Sequence, residues 1–366
     1  MPVSLKTFKV KDYHGIKELE LSEIPVDSKW IFITGENGFG KTVLLQALTI
    51  GLFGHKDNDR ILVDLETNAN ISVEYKSGNE SYINHLLENK NPLKKIACYG
   101  PSRLSITSRF TTEDDDSLIS VTNNLFSLQS PLLSIENDLI IWKLDNPERF
   151  ELITQLFKNL IPYLKDITVS KDKKQILYTE KQIGTRCQYE PVSFNKLASG
   201  FKSLIAMVGD MIQRFYKYQP DVQNPKDFEG IVLIDEFDLH THPKLQMQLP
   251  SLLSKAFPKV QFIASTHSAI PLLGAPKQSV ILKVTRDKKE GIKAEKLDID
   301  VKSLTPNLIL TSPIFDMDKL SSSTSNKLAD VRTENTYQEM KENDEVDKIL
   351  DDYQESDQKY PDHLFQ

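Results

Sequence analysis

Apolar residues along this chain fall into alternating runs, helical spacings, and short continuous runs that stop at a glycine, a carboxylate or a Ser-Thr-His triplet. Leu5 to Val10 and Ile16 to Leu21 alternate apolar with polar on either side of Asp12-Tyr13-His14-Gly15, which predicts two half-buried strands joined by a turn. Ile71 to Tyr75 alternates in the same way ahead of a polar turn, Lys76 to Glu80. The continuous runs are Trp30 to Thr34, Lys95 to Gly100, Ile231 to Ile234 and Val260 to Ala264, and apolarity on both faces is what strands inside a parallel sheet require. Helical spacing covers Val43 to Phe53, Ser134 to Leu164 with a break at Asn146-Pro147, Ser199 to Tyr218, and about Pro243 to Phe257. The last of these lies between two continuous runs and completes a β-α-β unit. Lys174 to Tyr178 and Gln182 to Tyr189 read as further strands. The expected class is α/β with a central, mainly parallel sheet.

The stretch Gly35-Glu36-Asn37-Gly38-Phe39-Gly40-Lys41-Thr42 fits G-x-x-x-x-G-K-[ST] and lies between a strand and a helix, the setting that motif needs. Backbone N–H groups of Gly35, Asn37, Gly38, Phe39 and Gly40 can turn inward around a polyphosphate. Lys41 can then reach the β- and γ-phosphates of ATP, and the Thr42 hydroxyl can ligate Mg²⁺. The following helix directs the positive end of its dipole at the same phosphates. The apolar run Ile231 to Ile234 delivers Asp235 and Glu236 at a strand's C-terminal end, where open α/β sheets bind ligands. There Asp235 would hold Mg²⁺, and Glu236 would orient and deprotonate the attacking water. Adjacent carboxylates after a strand also serve as helix caps, and it is the phosphate loop in the same chain that favours the catalytic reading. His267, after the next apolar strand, falls beside the same phosphates and can hydrogen bond the γ-phosphate. Ser199-Gly200 opens a helix, either as a cap or as an anion site made by first-turn N–H groups, and the residues alone leave both open.

Charge and composition narrow the partners. Apolar residues make up 39% and charged residues 27% of the 366, as in a soluble globular protein. The whole net charge of −7 resides in residues 321–366, with 12 Asp/Glu against 5 Lys/Arg. The rest is neutral, so no strongly basic face shows in bulk, although Lys171, Lys173 and Lys174 form a local patch that leaves nucleic acid open as a partner. Two cysteines, Cys98 and Cys187, without C-x-x-C spacing suit a reducing compartment. No signal-like apolar core or membrane-length segment is visible, and a cytoplasmic protein is expected. The acidic tail reads either as disordered or as helices that need a partner.

The four motifs and their order resemble the ABC-type ATPase heads of the RecF, SMC and OLD group over residues 1 to about 318. Phe8 to Leu21 looks like their two-stranded opening, and Leu233-Ile234-Asp235-Glu236-Phe237-Asp238-Leu239-His240-Thr241-His242-Pro243-Lys244 is similar to their carboxylate run. Phe257 to Ser268, Cys98-Tyr99-Gly100-Pro101-Ser102-Arg103 and Leu304 to Phe315 look like one branch. That branch comprises stand-alone bacterial ATPases, including those of Septu-type and retron-associated anti-phage systems. The resemblance implies a P-loop head over residues 1–320, with an antiparallel β subdomain and a helical lobe inserted at about 105–172, and an acidic tail over 321–366. It also implies a head-to-tail dimer with ATP between one copy's phosphate loop and the other's Leu197 to Ser203, contacted by Ser199 and Gly200. Ala198 stands where the family usually has Ser, which implies slow hydrolysis. Gln129 is the nearest match to a Mg²⁺-sensing glutamine, although Arg103 lies closer to the end of the Cys98 strand. Expected partners are a second copy and an effector such as an HNH-type nuclease. A non-catalytic ATP-gated interaction module and a transporter nucleotide-binding subunit are the alternatives.

Overall fold

The computed structural model describes residues 3–53, 69–85, 92–107, 122–127, 129–172, 174–181, 190–317 and 337–355. It divides into two compact units, 1–299 and 300–366. The first opens with β1 (Val3–Tyr13), β2 (Ile16–Leu21), β3 (Trp30–Thr34), α1 (Lys41–Phe53), β4 (Asn70–Ser77), β5 (Glu80–His85) and β6 (Ile96–Tyr99). Next come β7 (Ile106–Thr107), α2 (Asn123–Phe126), β8 (Leu132–Leu133), α3 (Glu136–Asp145), α4 (Pro147–Leu160), β9 (Leu164–Val169) and β10 (Ile176–Glu180). It closes with α5 (Ser199–Tyr218), β11 (Gly230–Ile234), α6 (Pro243–Ala256), β12 (Val260–Ser265), α7 (Ile270–Leu273), β13 (Val280–Asp287) and β14 (Gly291–Leu297). The second unit holds α8 (Pro306–Thr311) and α9 (Tyr337–Glu355). The expected boundary near residue 320 lies outside the described residues.

A ten-stranded sheet runs in the order β5-β4-β1-β2-β14-β13-β3-β12-β11-β6. Its last five members pair in parallel, and its first five are antiparallel. The fold is thus α/β and P-loop NTPase-like. The parallel strands β3, β11 and β12 are buried at every position, which is why they read as continuous apolar runs. At the start of β3, Trp30 stacks on Phe262 at 4.8 Å and on Phe32 at 5.1 Å. Gln261, on β12, is fully buried yet satisfied: its Oε1 accepts from Leu5 N at 2.8 Å and its Nε2 donates to Ser28 O at 2.8 Å. Each such bond adds about 1 kcal/mol, and leaving a partner unmet would cost more.

Two predicted spans differ from the structure. The helical spacing through Leu164 ends earlier: α4 stops at Leu160, Ile161 turns extended (φ −115°, ψ 90°), and Leu164 enters β9, which pairs with β10. Ile161, Leu164 and Ile167 have helical spacing, but the partner strand decides, because short apolar spacings fit either element. Lys76 to Glu80 is tighter than read, since Glu80 already begins β5 opposite Ser77. The break at Asn146-Pro147 is as expected, with the Asn146 side chain accepting from Arg149 N at 3.1 Å to cap α4. Gln182 to Tyr189 lies outside the described residues.

Candidate functional site

Parallel pairing in register carries the ends of β3, β12 and β11 to one edge of the sheet, so the loops after Thr34, Ile234 and Ser265 emerge side by side. The phosphate loop turns through Gly35, Gly38 and Gly40, at φ +139°, +81° and +103°, into α1, which starts at Lys41. Lys41 is 8% exposed, and its Nζ donates to Gly35 O at 2.7 Å and Glu36 O at 3.0 Å. Burial pulls the ammonium below its ordinary pKa, against Asp235, Asp238 and Glu236, which act to raise it.

Opposite the loop, the carboxylates and hydroxyls form a connected chain. Thr42 Oγ1 donates to Asp235 Oδ2 at 2.6 Å, and Ser265 Oγ donates to Asp235 Oδ1. Ser265 Oγ also accepts from Glu236 N at 2.8 Å. Glu236 stands at φ +47°, a strained conformation for a non-glycine residue that persists only when neighbours over-determine it. Asp238, 5% exposed, accepts from Thr266 Oγ1 at 2.7 Å and lies 3.4 Å from His267 Nδ1, which orients a half-exposed imidazole. The resulting cleft of about 300 Å³ is lined by Asn37, Gly38, Lys41, Thr42, Asp235, Glu236 and His267 among others. A larger groove of about 740 Å³ runs beside α4 and α6, but no glycine-rich backbone faces it to receive a phosphate.

The structure brings the phosphate loop, Asp235, Glu236 and His267 together. Ser199 and Gly200 do not line this cleft, and neither does Gln129, which is exposed and donates its backbone N–H to Ser127 Oγ. His242 Nδ1 accepts from Lys244 N as the cap of α6, and no cluster of three or more His, Cys, Asp or Glu placed to hold a metal occurs among the described residues. Motif reading gave no role to Ser265, Thr266, Asp238 or Arg103. The signals that could have found them were their positions just after apolar strands and their place within the stretches Leu233 to Lys244, Phe257 to Ser268 and Cys98 to Arg103.

The residues fit a Mg²⁺-nucleotide. Thr42 Oγ1 and Asp235 Oδ2 are hard oxygen donors already 2.6 Å apart, and the loop glycines at positive φ give the backbone the turn that a phosphate cradle needs. A Cβ on Gly40 would lie 2.4 Å from Ile292 Cδ1, whereas one on Gly38 would meet nothing within 4 Å. Gly40→Ala is therefore expected to abolish nucleotide binding and to destabilise the fold by about 1–3 kcal/mol, with a smaller effect for Gly38→Ala. Fluorescent-nucleotide titration and thermal melting of both variants check this, and equal losses would dismiss the contact with Ile292 as the cause.

Residues 9–199 match the family model described as an AAA domain. Over 310 residues the chain is 27% identical to a Septu protein PtuA of Bacillus mycoides, covering 79% of this chain and 41% of that one. Over 166 residues it is 36% identical to a Retron Vc95 probable ATPase of Vibrio cholerae, covering 44% of this chain and 31% of that one. The matches thus span less than half of either relative. A solved SMC head domain from Thermotoga maritima is similar with a TM-score of 0.44 at 13% identity, covering 81% of this chain and 99% of that one. No helix among the described residues is long and apolar enough to cross a membrane.

Proposed function

The chain belongs to the AAA-domain family, and we propose that it is a cytoplasmic ATPase that hydrolyses ATP in a site shared between two copies and gates a separately encoded effector in anti-phage defence. The observation that carries the ATPase reading is the chain of bonds Thr42–Asp235–Ser265–Glu236 facing the phosphate loop. Lys41 neutralises phosphate charge, and its lowered pKa reflects burial that a polyanion would offset. Mg²⁺, when bound, supplies charge neutralisation at the phosphates. Ser265 anchors Asp235 from behind, leaving Thr42 and Asp235 as the pair that would hold the ion. Glu236 takes a proton from water, and His267, steered by Asp238, donates toward the γ-phosphate oxygens.

Sharing of the site is supported by where Ser199 and Gly200 lie, outside their own chain's cleft at the start of α5. Mixing tests it. Lys41→Ala and Ser199→Arg are each expected to be inactive alone, and an equal mixture to recover about a quarter of parental ATPase activity, because random pairing gives hybrids with one intact site. A mixture no better than its components would sink the shared site.

The defence role rests on the relatives, named as a Septu protein and a retron ATPase. An effector such as an HNH-type nuclease is consistent with α9, which is acidic and exposes Val346, Ile349 and Leu350. ATP-dependent co-purification with the product of a neighbouring nuclease gene tests the pairing.

A further inference from the structure

Arg103 belongs to no motif of the nucleotide site, yet it is buried where two of them approach each other. It follows Gly100-Pro101-Ser102 at the end of β6 and is 2% exposed. Its Nη1 donates to Gly100 O at 2.9 Å and to Asp235 O at 2.6 Å, and its Nη2 donates to Glu236 O at 2.8 Å. Its Nε donates to Ser203 Oγ at 3.4 Å, and Ser203 stands one turn into α5, above Ser199. Burial lowers the guanidinium to about 10 against the pull of Asp235, Glu236 and Asp238, so it stays charged at neutral pH.

Glu236 is consequently held on both sides of its strained backbone, its N–H by Ser265 Oγ and its carbonyl by Arg103. The first turn of α5 also rests on the segment that follows. A Cβ on Gly200 would come within 2.9 Å of His240 O, and His240 itself stands at φ +66°. A movement of the start of α5 therefore reaches Glu236 by two routes, through the guanidinium and through the 237–240 backbone.

We propose that Arg103 is a positioning residue that makes the placement of the Glu236 carboxylate depend on the position of the first turn of α5, so that a second copy pressing on Ser199-Gly200 sets the catalytic geometry. This rests on the shared-site reading. A planar fork is needed, because one side chain must hold two adjacent carbonyls, a third at Gly100 and a hydroxyl, and a lysine ammonium cannot hold that arrangement. Misplacing a reacting group by about 1 Å costs roughly a hundredfold in rate, which is the scale on which the link would act.

Ser203→Ala removes the hydrogen bond to α5 and leaves all three carbonyl bonds in place. The variant is expected to keep the parental ATP dissociation constant and ATP-dependent self-association, with at most a small loss of melting temperature, while kcat falls by roughly ten- to a hundredfold. Arg103→Lys is expected to lose more of kcat, again with nucleotide affinity kept. A parental kcat in Ser203→Ala, or a loss of kcat matched by an equal loss of ATP affinity, overturns the link. If the parent itself fails to self-associate with ATP, the shared-site reading falls, and the link with it. Ultracentrifugation of the parent separates that outcome from the first two.

Discussion

Glu236→Gln is expected to bind ATP as the parent does and to hydrolyse it roughly 10²- to 10⁴-fold more slowly, the usual contribution of a positioned general base. The expectation is sharp because Glu236 is held through its backbone. Arg103 grips its carbonyl and Ser265 its N–H, so the amide side chain inherits the same place and loses only the proton acceptor. On the proposed shared-site reading, in which hydrolysis would end ATP-dependent self-association, that association should persist longer in the variant. Single-turnover hydrolysis with radiolabelled ATP is the measurement. Equal rates would move the assignment to the non-catalytic, ATP-gated interaction module.

The largest loss of stability is expected from Asp210→Ala. Asp210 is fully buried on α5, where its Oδ2 accepts from Tyr99 OH at 2.9 Å and from Arg214 Nε at 2.6 Å. Its Oδ1 accepts from Arg214 Nη2 at 3.0 Å and from Leu133 N at 2.8 Å. Burial works against the Arg214 charge, and the Asp210 carboxylate outweighs it, leaving the guanidinium pKa raised. Burial also pushes the Tyr99 phenol well above its ordinary range, so it serves as a donor. Removing the carboxylate takes the Asp210 ion pair away from a buried cation beside β6 and β8 and is expected to cost about 3–5 kcal/mol. Denaturant unfolding measures it, and a loss below about 1 kcal/mol would show that the network is not what fastens α5 to the sheet. Asp210→Leu combined with Arg214→Met should recover only part of the loss, because apolar packing can replace the buried ion pair but not the acceptor that Asp210 gives to Tyr99 OH and Leu133 N.

Which parts of this architecture were legible depends on how local their cause is. β3, β11 and β12 were readable because a strand buried on both faces must be apolar throughout, whatever lies beside it. α5 was readable over its full length, Ser199 to Tyr218, from its one apolar face. β9 was missed because its apolar spacing suits a helix equally well, and its identity comes from β10. β13 and β14, which join the parallel to the antiparallel half of the sheet, were not singled out. Their role lies in pairing with β3 and β2, and pairing has no local signature.

By itself the sequence determined the chemistry available to this protein. A glycine-rich turn ending in Lys41-Thr42, a carboxylate pair and a histidine after apolar strands point to phosphate, Mg²⁺ and water as what the proposed site would handle, because residue type and spacing carry each expectation. The tertiary structure alone decided how those groups are held. Ser265 bridges Asp235 and Glu236 from the neighbouring strand, Asp238 steers His267, and Arg103 ties the Glu236 carbonyl to the start of α5 across a hundred residues of chain. It also set Ser199 and Gly200 apart from their own cleft. These are long-range contacts made by polar side chains, and no local pattern encodes them, since each exists only once the sheet has put its strand ends in register.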